Sequence, residues 1–181
     1  MSDSVIMGGN WWVDTLNCRK RLEFARLPNL NKAREAFVAG GGFFRFSMPG
    51  EIEELEAQIG LRGSHEDIRG LFGNEPGDWT TFYWYERLRD IMAGKNRGRV
   101  VIMKGLVQQV EQPRVTGKRA DVTTYTIGSI VKYKDTTDGK VIHLMDFDNN
   151  QLIMNGVDYS AEHNQLIAAS GGAPTLVGSA A

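Results

Sequence analysis

Several short groups of side chains in this sequence have the residue types that metal or catalytic sites use. The run from Asp146 to Asn150, with a further carboxylate at Asp148, begins like a calcium loop. An EF-hand uses carboxylate and amide oxygens at its first, third and fifth positions. However, Gln151 stands where that loop needs glycine, and Val157 stands where it needs glutamate. The sequence therefore predicts no calcium site in this run.

A second group, at residues 64 to 67, combines an imidazole with two carboxylates. His65 is a candidate general base beside Glu66 and Asp67, but no recognisable motif places a nucleophile near it. The run from Ser64 to Asp67 is also close to a capping box, in which a serine and an acidic residue satisfy the first N–H groups of a helix. Carboxylates in a first turn also complement the positive end of the helix. We therefore interpret this run as the start of a helix.

The other candidates for chemistry lack the partners that the chemistry needs. The three histidines are too scattered for standard zinc spacing, and there is one cysteine. That cysteine, Cys18, precedes Arg19 and Lys20, a weak indication of a lowered thiol pKa. The Gly40-Gly41-Gly42 run lacks the Lys and Ser or Thr of a phosphate loop. We expect no catalytic residue, no metal site and no cofactor.

Two basic clusters are candidates for phosphate contact. With a net charge of −1, the chain has no overall field that attracts nucleic acid, so any such contact would be local. Hairpin tips and loops commonly carry charge, and we favour solvated loops for both clusters. The first contains Lys95, Arg97 and Arg99, and the second contains Arg114, Lys118 and Arg119.

The elements that position these groups are mainly β-strands. The stretch from Trp79 to Phe147 is dense in β-branched and aromatic residues, and it contains a hairpin followed by two further runs joined at Asp138-Gly139. The sequence therefore predicts four consecutive antiparallel strands. A strand from Val100 to Glu111 would span roughly 40 Å, so the sheet must curl, carry bulges or be covered.

Two glycines inside these long runs mark places where a strand can be irregular. Gly105 and Gly128 each predict either a bulge or a position where a neighbouring chain segment needs room.

The remaining segments are shorter. Trp11 to Val13 and Arg19 to Leu27 predict two strands, while residues 32 to 39 fit either a helical turn or a strand. The stretch from Glu51 to Arg62 alternates with period two and predicts a strand with Glu54 and Glu56 on one face. We predict helices from Ser64 to Phe72, ending at Gly73, and from Ser160 to Ala169, with Leu166 and Ile167 as the apolar contacts of the second helix.

An aromatic cluster follows the early glycines. Phe43, Phe44 and Phe46 come directly after Gly40-Gly41-Gly42 and before Met48-Pro49-Gly50. Three such side chains within four positions either pack into the core or face another chain, since large exposed apolar patches are uncommon on monomers.

A chain of 181 residues with 41% hydrophobic content suits one domain. We place that domain at residues 1–169 and predict a flexible tail at 170–181, which is small and weakly apolar. No apolar run approaches the roughly 20 residues of a transmembrane helix, and the start of the chain lacks the regions of a signal peptide. We expect a protein made in the cytosol, with no membrane partner.

The most specific pattern in the chain lies near its C-terminus. It consists of Gly156-Val157-Asp158 followed by Ala161-Glu162-His163. With the glycine loop, the glutamate-rich strand, the short helix and the strand at 123–126, this order of elements resembles the major tail tube protein of contractile-tailed bacteriophages over most of residues 5 to 169. The tryptophan-rich strand at 79–85 and the residues after Ala169 depart from that pattern.

The resemblance implies a β-sandwich or barrel with a short flanking helix and a C-terminal helix. It also implies a non-enzymatic subunit that assembles in hexameric rings, stacked into a hollow tube. Neighbouring subunits would join their inner sheets edge to edge, and Glu54 and Glu56 are candidates for an acidic lumen lining. Candidate contacts between rings or subunits are Gly40, Gly41, Gly42, Phe43, Phe44 and Phe46, with Ile68, Leu71 and Phe72 of the short helix.

The implied partners are further copies of the chain, the tail sheath protein, and tape measure and baseplate proteins, while DNA passes through the lumen without specific binding. The implied location is the virion tail, after assembly in the cytoplasm of a bacterial host. One alternative is the inner tube of a headless contractile injection system, either a bacteriocin or a secretion device. An alternative of another class is a small β-barrel enzyme or ligand-binding protein that uses His65, Glu66 and Asp67.

Overall fold

A computed structural model of the chain describes residues 4–38, 40–117 and 121–167. The predicted mainly β, antiparallel fold with two short helices is confirmed. The predicted tail at 170–181 lies outside the described residues. The strands are β1 Ser4–Val13, β2 Leu16–Asn17, β3 Leu22–Arg26, β4 Lys32–Val38, β5 Arg45–Ile52, β6 Ala57–Arg62, β7 Thr80–Asp90, β8 Asn96–Glu111, β9 Val122–Thr137, β10 Lys140–Asp146, β11 Gln151–Met154 and β12 Val157–Asp158. The helices are α1 Glu66–Gly70 and α2 Ala161–Leu166, and a 3₁₀ helix spans Leu71–Gly73.

The four predicted consecutive strands are β7, β8, β9 and β10, and each pairs antiparallel with the next. The turn between β9 and β10 has Asp138 at φ 49° and Gly139 at φ 79°. Two left-handed residues in succession match the twist of a two-residue hairpin, which is why Asp-Gly favours this turn. Residues 32–38, which fit either structure in the sequence, form strand β4.

Strand β9 divides the main sheet into two lobes. Its first half, from Val122 to Ile127, pairs with β6, and its second half, from Lys132 to Thr137, pairs with β10. Strand β8 runs beside both halves. The core therefore lies between the β6 and β9 lobe and strands β1, β7 and β8. Its largest fully buried side chains are Trp11, Ile59, Leu61, Phe82, Met103, Tyr125, Ile127 and Tyr133.

The two glycines in the long strands face each other at an irregularity. Between the pairs Lys104–Lys132 and Leu106–Gly128, strand β9 has three residues opposite the single Gly105. A Cβ atom at Gly105 would lie 2.8 Å from the carbonyl oxygen of Gly128. Both predicted reasons, an irregular ladder and a close neighbour, therefore apply at Gly105.

The strand predicted from Glu51 to Arg62 is interrupted. Glu51 and Ile52 end β5, and β6 begins at Ala57, so Glu54 and Glu56 lie in the segment between the two strands. The period-two pattern still holds for burial, because Leu55 and Ala57 are buried while both glutamates are exposed. That segment has the side-chain alternation of a strand but no strand partner among the described residues.

The predicted capping box does not form. Helix α1 begins at Glu66 with His65 as its N-cap and no side-chain cap hydrogen bond. Ser64 Oγ instead accepts a hydrogen bond of 2.9 Å from Arg69 Nη1. Because the helix begins one residue later than the box requires, His65 rather than Ser64 is the N-cap and Ile68 rather than Asp67 is at the third helical position, so the reciprocal pair is out of register.

The two helices end where predicted or earlier. Gly73 ends the 3₁₀ helix that follows α1, as predicted. Helix α2 ends at Leu166, and the rest of its predicted length lies outside the described residues after Ile167. Leu166 and Ile167, predicted as packing contacts, are instead 62% and 55% exposed.

We predict that Gly105→Ala lowers the free energy of unfolding by about 1–3 kcal/mol, because the added methyl group meets backbone atoms that cannot rotate away. The matched control is Gly98→Ala in the same strand, where a Cβ atom meets nothing within 4 Å. Urea titrations of both variants measure the difference. Equal midpoints would show that the contact between Gly105 and Gly128 does not limit the ladder.

Candidate assembly surfaces

The run that begins like a calcium loop is the turn between β10 and β11. Asp146 accepts hydrogen bonds from Asn149 and lies 2.8 Å from Lys132 Nζ across the ladder. Burial raises the pKa of Asp146, but the hydrogen bonds from Lys132 and Asn149 outweigh it and hold that pKa below its ordinary value. Within the described residues, no group of three or more His, Cys, Asp or Glu side chains is arranged to hold a metal.

The His65 group forms structural contacts. His65 Nδ1 lies 2.5 Å from Arg21 Nη1, and His65 Nε2 lies 3.3 Å from the carbonyl oxygen of Arg62. Cys18 lines the same small cleft of about 130 Å³. Burial raises the pKa of the Cys18 thiol to about 11, more than the Arg21 guanidinium lowers it. The weak indication of thiolate activation was therefore wrong, and this cleft offers no activated nucleophile.

The first basic cluster is largely engaged within the sheet. Arg97 Nε lies 2.8 Å from Asp138. Arg99 donates two hydrogen bonds to Asp135, of 3.0 and 2.7 Å, and its Nη1 lies 3.6 Å from Glu86. These contacts join β8 to β7 and β9. The two arginines therefore have partners within the chain, and no bound phosphate is needed to account for them. In the second cluster, Arg114 is exposed, and Lys118 and Arg119 lie outside the described residues.

The most exposed apolar element is the hairpin of β4 and β5, a separate two-stranded sheet. Phe37 lies opposite Phe46, and Glu35 lies opposite Met48, so these four side chains share one face. Phe37, Phe46 and Met48 are 55%, 60% and 55% exposed. An isolated two-stranded hairpin is marginal in water unless its apolar face is covered.

The tip of this hairpin carries the predicted glycine and phenylalanine cluster. Gly41 has a φ of 82°, a left-handed conformation that favours glycine. Gly40 and Gly42 are exposed beside it. Phe43 and Phe44 are 96% and 86% exposed. Of the two predicted locations for these rings, the structure therefore excludes the core of the same chain.

The main sheet is not closed into a sealed barrel. Among the described residues, β3 has a ladder only with β6, and residues 4–10 of β1 have one only with β7, while the Trp11 carbonyl oxygen accepts a hydrogen bond of 2.9 Å from the Cys18 N–H. One edge of each strand therefore lacks a ladder partner. Strand β1 also exposes Val5, Ile6 and Met7 beside its open edge. Open, apolar edges are an aggregation hazard for a monomer unless another copy pairs with them.

The remaining predicted contact residues differ in their availability. Ile68 is 3% exposed and belongs to the core, and Leu71 packs against that core. Phe72 is 58% exposed, so it is the residue of the three whose side chain is most available to a neighbour. Glu54 and Glu56 are exposed, and Glu54 accepts a hydrogen bond of 3.4 Å from the Ser129 N–H.

Sequence analysis missed part of this surface. Phe37 and Met48 lie in the 31–52 segment that the resemblance marks as a candidate contact, but neither residue is singled out there. Residues 32–39 fit either a helical turn or a strand, so the pairing that places both side chains on one face does not follow from the sequence. Val5 to Met7 were missed because the sequence predicts the first strand only from Trp11, whereas β1 begins at Ser4. One signal was available in the sequence: Phe46 and Met48 are two positions apart, so in a strand both side chains lie on the same face.

Comparisons with known proteins agree with this architecture. The structure resembles a chain of the extracellular contractile injection system PVC sheath-tube complex in its extended state, with a TM-score of 0.52, 12% identity, and coverage of 71% of this chain and 87% of that chain. It also resembles a chain of the PVC sheath/tube terminator, with a TM-score of 0.53, 11% identity, and coverage of 72% and 94%. A comparison with curated protein sequences gives no match.

In the described part of the chain, no helix is long and apolar enough to cross a membrane.

The family assignment comes from the sequence. Residues 3–167 match the family described as phage tail tube protein FII, and this range includes every residue that the structure describes. The prediction that the chain is not an enzyme is confirmed by this match. The chain belongs to the phage tail tube protein FII family and is a structural tail tube protein of a contractile phage-like system.

Proposed function

We propose that copies of this chain assemble into hexameric rings that stack into the hollow inner tube of a contractile phage tail, through which DNA leaves the virion. The observation that carries the proposal is the β4–β5 hairpin, whose apolar face has no cover within the described chain. The open edges of β1 and β3 support lateral pairing between subunits in a ring. Closing a ring removes the unpaired edges that a single chain leaves.

Burial of the hairpin face supplies a driving force for assembly. Full burial of an exposed Phe or Met side chain contributes about 1.5–3 kcal/mol, and less where the side chain is already partly covered. Phe37, Phe46 and Met48 are each a little more than half exposed. Their combined gain repeats in every subunit, so a modest contact becomes strong in a ring that forms many of them.

The proposed tube has three environments. The sheath protein would contact its outer wall, tape measure protein and then DNA would occupy its lumen, and baseplate proteins would contact one end. The proposed site of assembly is the cytoplasm of a bacterial host. We place Glu54 and Glu56 in the lumen, because exposed carboxylates repel a polyanion at short range and let it slide.

The inner tube of a headless contractile injection system is the second candidate. The two similar structures come from a contractile injection system. At 12% identity or less, the similarity supports a shared fold only. Capsid and portal genes beside the gene for this chain favour the phage tail. Intact sheath and baseplate genes without them favour the injection device.

We expect Phe46→Ser/Met48→Ser to prevent tube formation, because the change makes the exposed face of the hairpin polar. Both side chains are more than half exposed, so the thermal midpoint of the monomer should stay within a few degrees of the unchanged chain. Negative-stain microscopy and size-exclusion chromatography of the purified chain are the measurements. Val115→Ser is the matched control, since Val115 is 81% exposed in a loop away from the hairpin.

Two results would count against the proposal. One is a wild-type chain that stays monomeric at every concentration and salt condition. The other is a double variant that forms rings and tubes as readily as the Val115→Ser control.

The lumen assignment has its own test. We expect tubes of Glu54→Lys/Glu56→Lys to retain short double-stranded DNA that enters their ends, because lysines bind phosphate and release counterions. Co-sedimentation with labelled DNA should show retention at low salt that falls steeply as salt rises, while wild-type tubes retain none. The charge-matched control is Glu75→Lys/Glu162→Lys, two exposed positions for which any bound DNA should lie along the outer wall rather than inside the tube. DNA bound along the outer wall of the variant, seen by microscopy, would place Glu54 and Glu56 outside.

A further inference from the structure

We propose that residues 174–177 of this chain, Pro-Thr-Leu-Val, dock in an apolar cleft of the same chain, between the end of β5, the irregular part of β9 and the turn after β10. The segment belongs to the stretch 168–181, which lies outside the described residues. The inference goes beyond the proposed function, because it concerns contacts within a single chain and needs no tube. The flexibility predicted for residues 170–181 then applies to the positions on either side of this segment.

The cleft has an apolar floor that is open to solvent in the described chain. Its volume is about 700 Å³, and its floor includes Ile52, Ile130, Met145 and Leu152, all half-buried. Residues 51–55 form one wall. Part of that wall lies between β5 and β6 and has no strand partner among the described residues. An extended segment can therefore cover the floor and pair along this wall at the same time.

The chain leaves the described region beside this cleft. Asn150, which lines the cleft, donates a hydrogen bond of 2.7 Å to the side chain of Asn164 in α2, and Asn164 donates one of 2.8 Å to the carbonyl oxygen of Asn150. The Leu152 N–H donates a hydrogen bond of 3.0 Å to Ser160 Oγ, just before the same helix. Helix α2 is therefore attached to the cleft at two points, and the last described residue, Ile167, follows Asn164 by three positions.

The connecting stretch is long enough to return to the cleft. Leu176 is nine positions after Ile167, so an extended chain between them spans at most about 30 Å. A short linker of this kind gives the attached segment an effective concentration in the millimolar range. A contact with a dissociation constant below that range is therefore occupied most of the time.

The segment has the chemistry that the cleft requires. Leu176 and Val177 are the two large aliphatic side chains of residues 168–181, and that stretch contains no charged side chain. Glu51 and Glu53 line the cleft beside its apolar floor, so a neutral segment can enter where an acidic one would be repelled. Thr175 and Val177 are β-branched, and such residues favour the extended conformation that pairing along the wall needs.

A second cleft, of about 840 Å³, suits the segment less well. It lies beside β4 and β5, and polar side chains such as Asn31, Lys32 and Arg34 provide most of its lining. None of its lining residues belongs to β10, β11 or α2, so the attachment of α2 does not bring the chain toward it.

Disulfide trapping in the full-length chain tests the location of the segment. We expect Leu152→Cys/Leu176→Cys to form an intramolecular disulfide with oxidised glutathione about tenfold faster, or more, than the control Val5→Cys/Leu176→Cys. Val5 is 43% exposed and five strands from β11, about 24 Å at about 4.8 Å per strand, so the same linker can reach it. Peptide mass spectrometry and electrophoresis without reductant are the measurements. The natural Cys18 is 5% exposed and should take little part.

Exposure of the cleft floor is the second measurement. Leu176→Ser/Val177→Ser should raise the fluorescence of the neutral apolar dye Nile red severalfold, because the floor is then open to the dye. The matched control is Ala173→Ser/Ala180→Ser, two changes in the same stretch that should leave the fluorescence unchanged.

Three results would overturn the inference. One is equal disulfide formation by the Leu152 and Val5 pairs. Another is unchanged dye fluorescence in Leu176→Ser/Val177→Ser. The third is a disulfide between two chains whose yield rises with protein concentration, because a second copy then occupies the cleft. Tube formation is measured separately by microscopy, so failure of the inference and failure of the proposed function are distinguishable.

Discussion

The antiparallel ladder between β8 and β9 is the contact on which the rest of the structure depends. Both strands have 16 residues, and β9 is hydrogen-bonded on its other side to β6 in one half and to β10 in the other. The close approach of Gly105 to Gly128 lets the ladder change direction between these halves. Every element of the main sheet is therefore attached, directly or through a neighbour, to this pair.

The elements that we propose for assembly lie outside the core. The hairpin of β4 and β5 joins the main sheet at its base only, and it gains nothing from the core that Trp11, Tyr125 and Tyr133 fill. Strand β3 is at the end of the path from β9 through β6, and most of β1 extends beyond the two residues that pair with β2. Folding of one chain and the proposed association of several chains thus use different residues, so surface variants should alter one without the other.

The charged side chains of the main sheet form no reactive site in the described part of the chain, because they contact one another across the strands. Arg99, Asp135 and Glu86 join three strands, and Lys132 with Asp146 joins β9 to β10. Cross-strand charge pairs that are partly buried specify the register, since a slip by one residue would leave a buried carboxylate without its partner. Their polar atoms are engaged by one another, so they are not arranged around an open substrate site.

The sequence by itself determined the strands at 80–146, the Asp-Gly turn and the mainly β class, because side-chain alternation and turn chemistry are local properties. It also placed three phenylalanines directly after the glycines at 40–42, but it did not determine whether their rings are buried or exposed. Only the tertiary structure decided that residues 32–38 form a strand, that Ser64 does not cap α1, and that Ile68 belongs to the core while Phe72 stays exposed. Those outcomes depend on contacts outside the local pattern, such as the hydrogen bond between Arg21 and His65, the N-cap of α1.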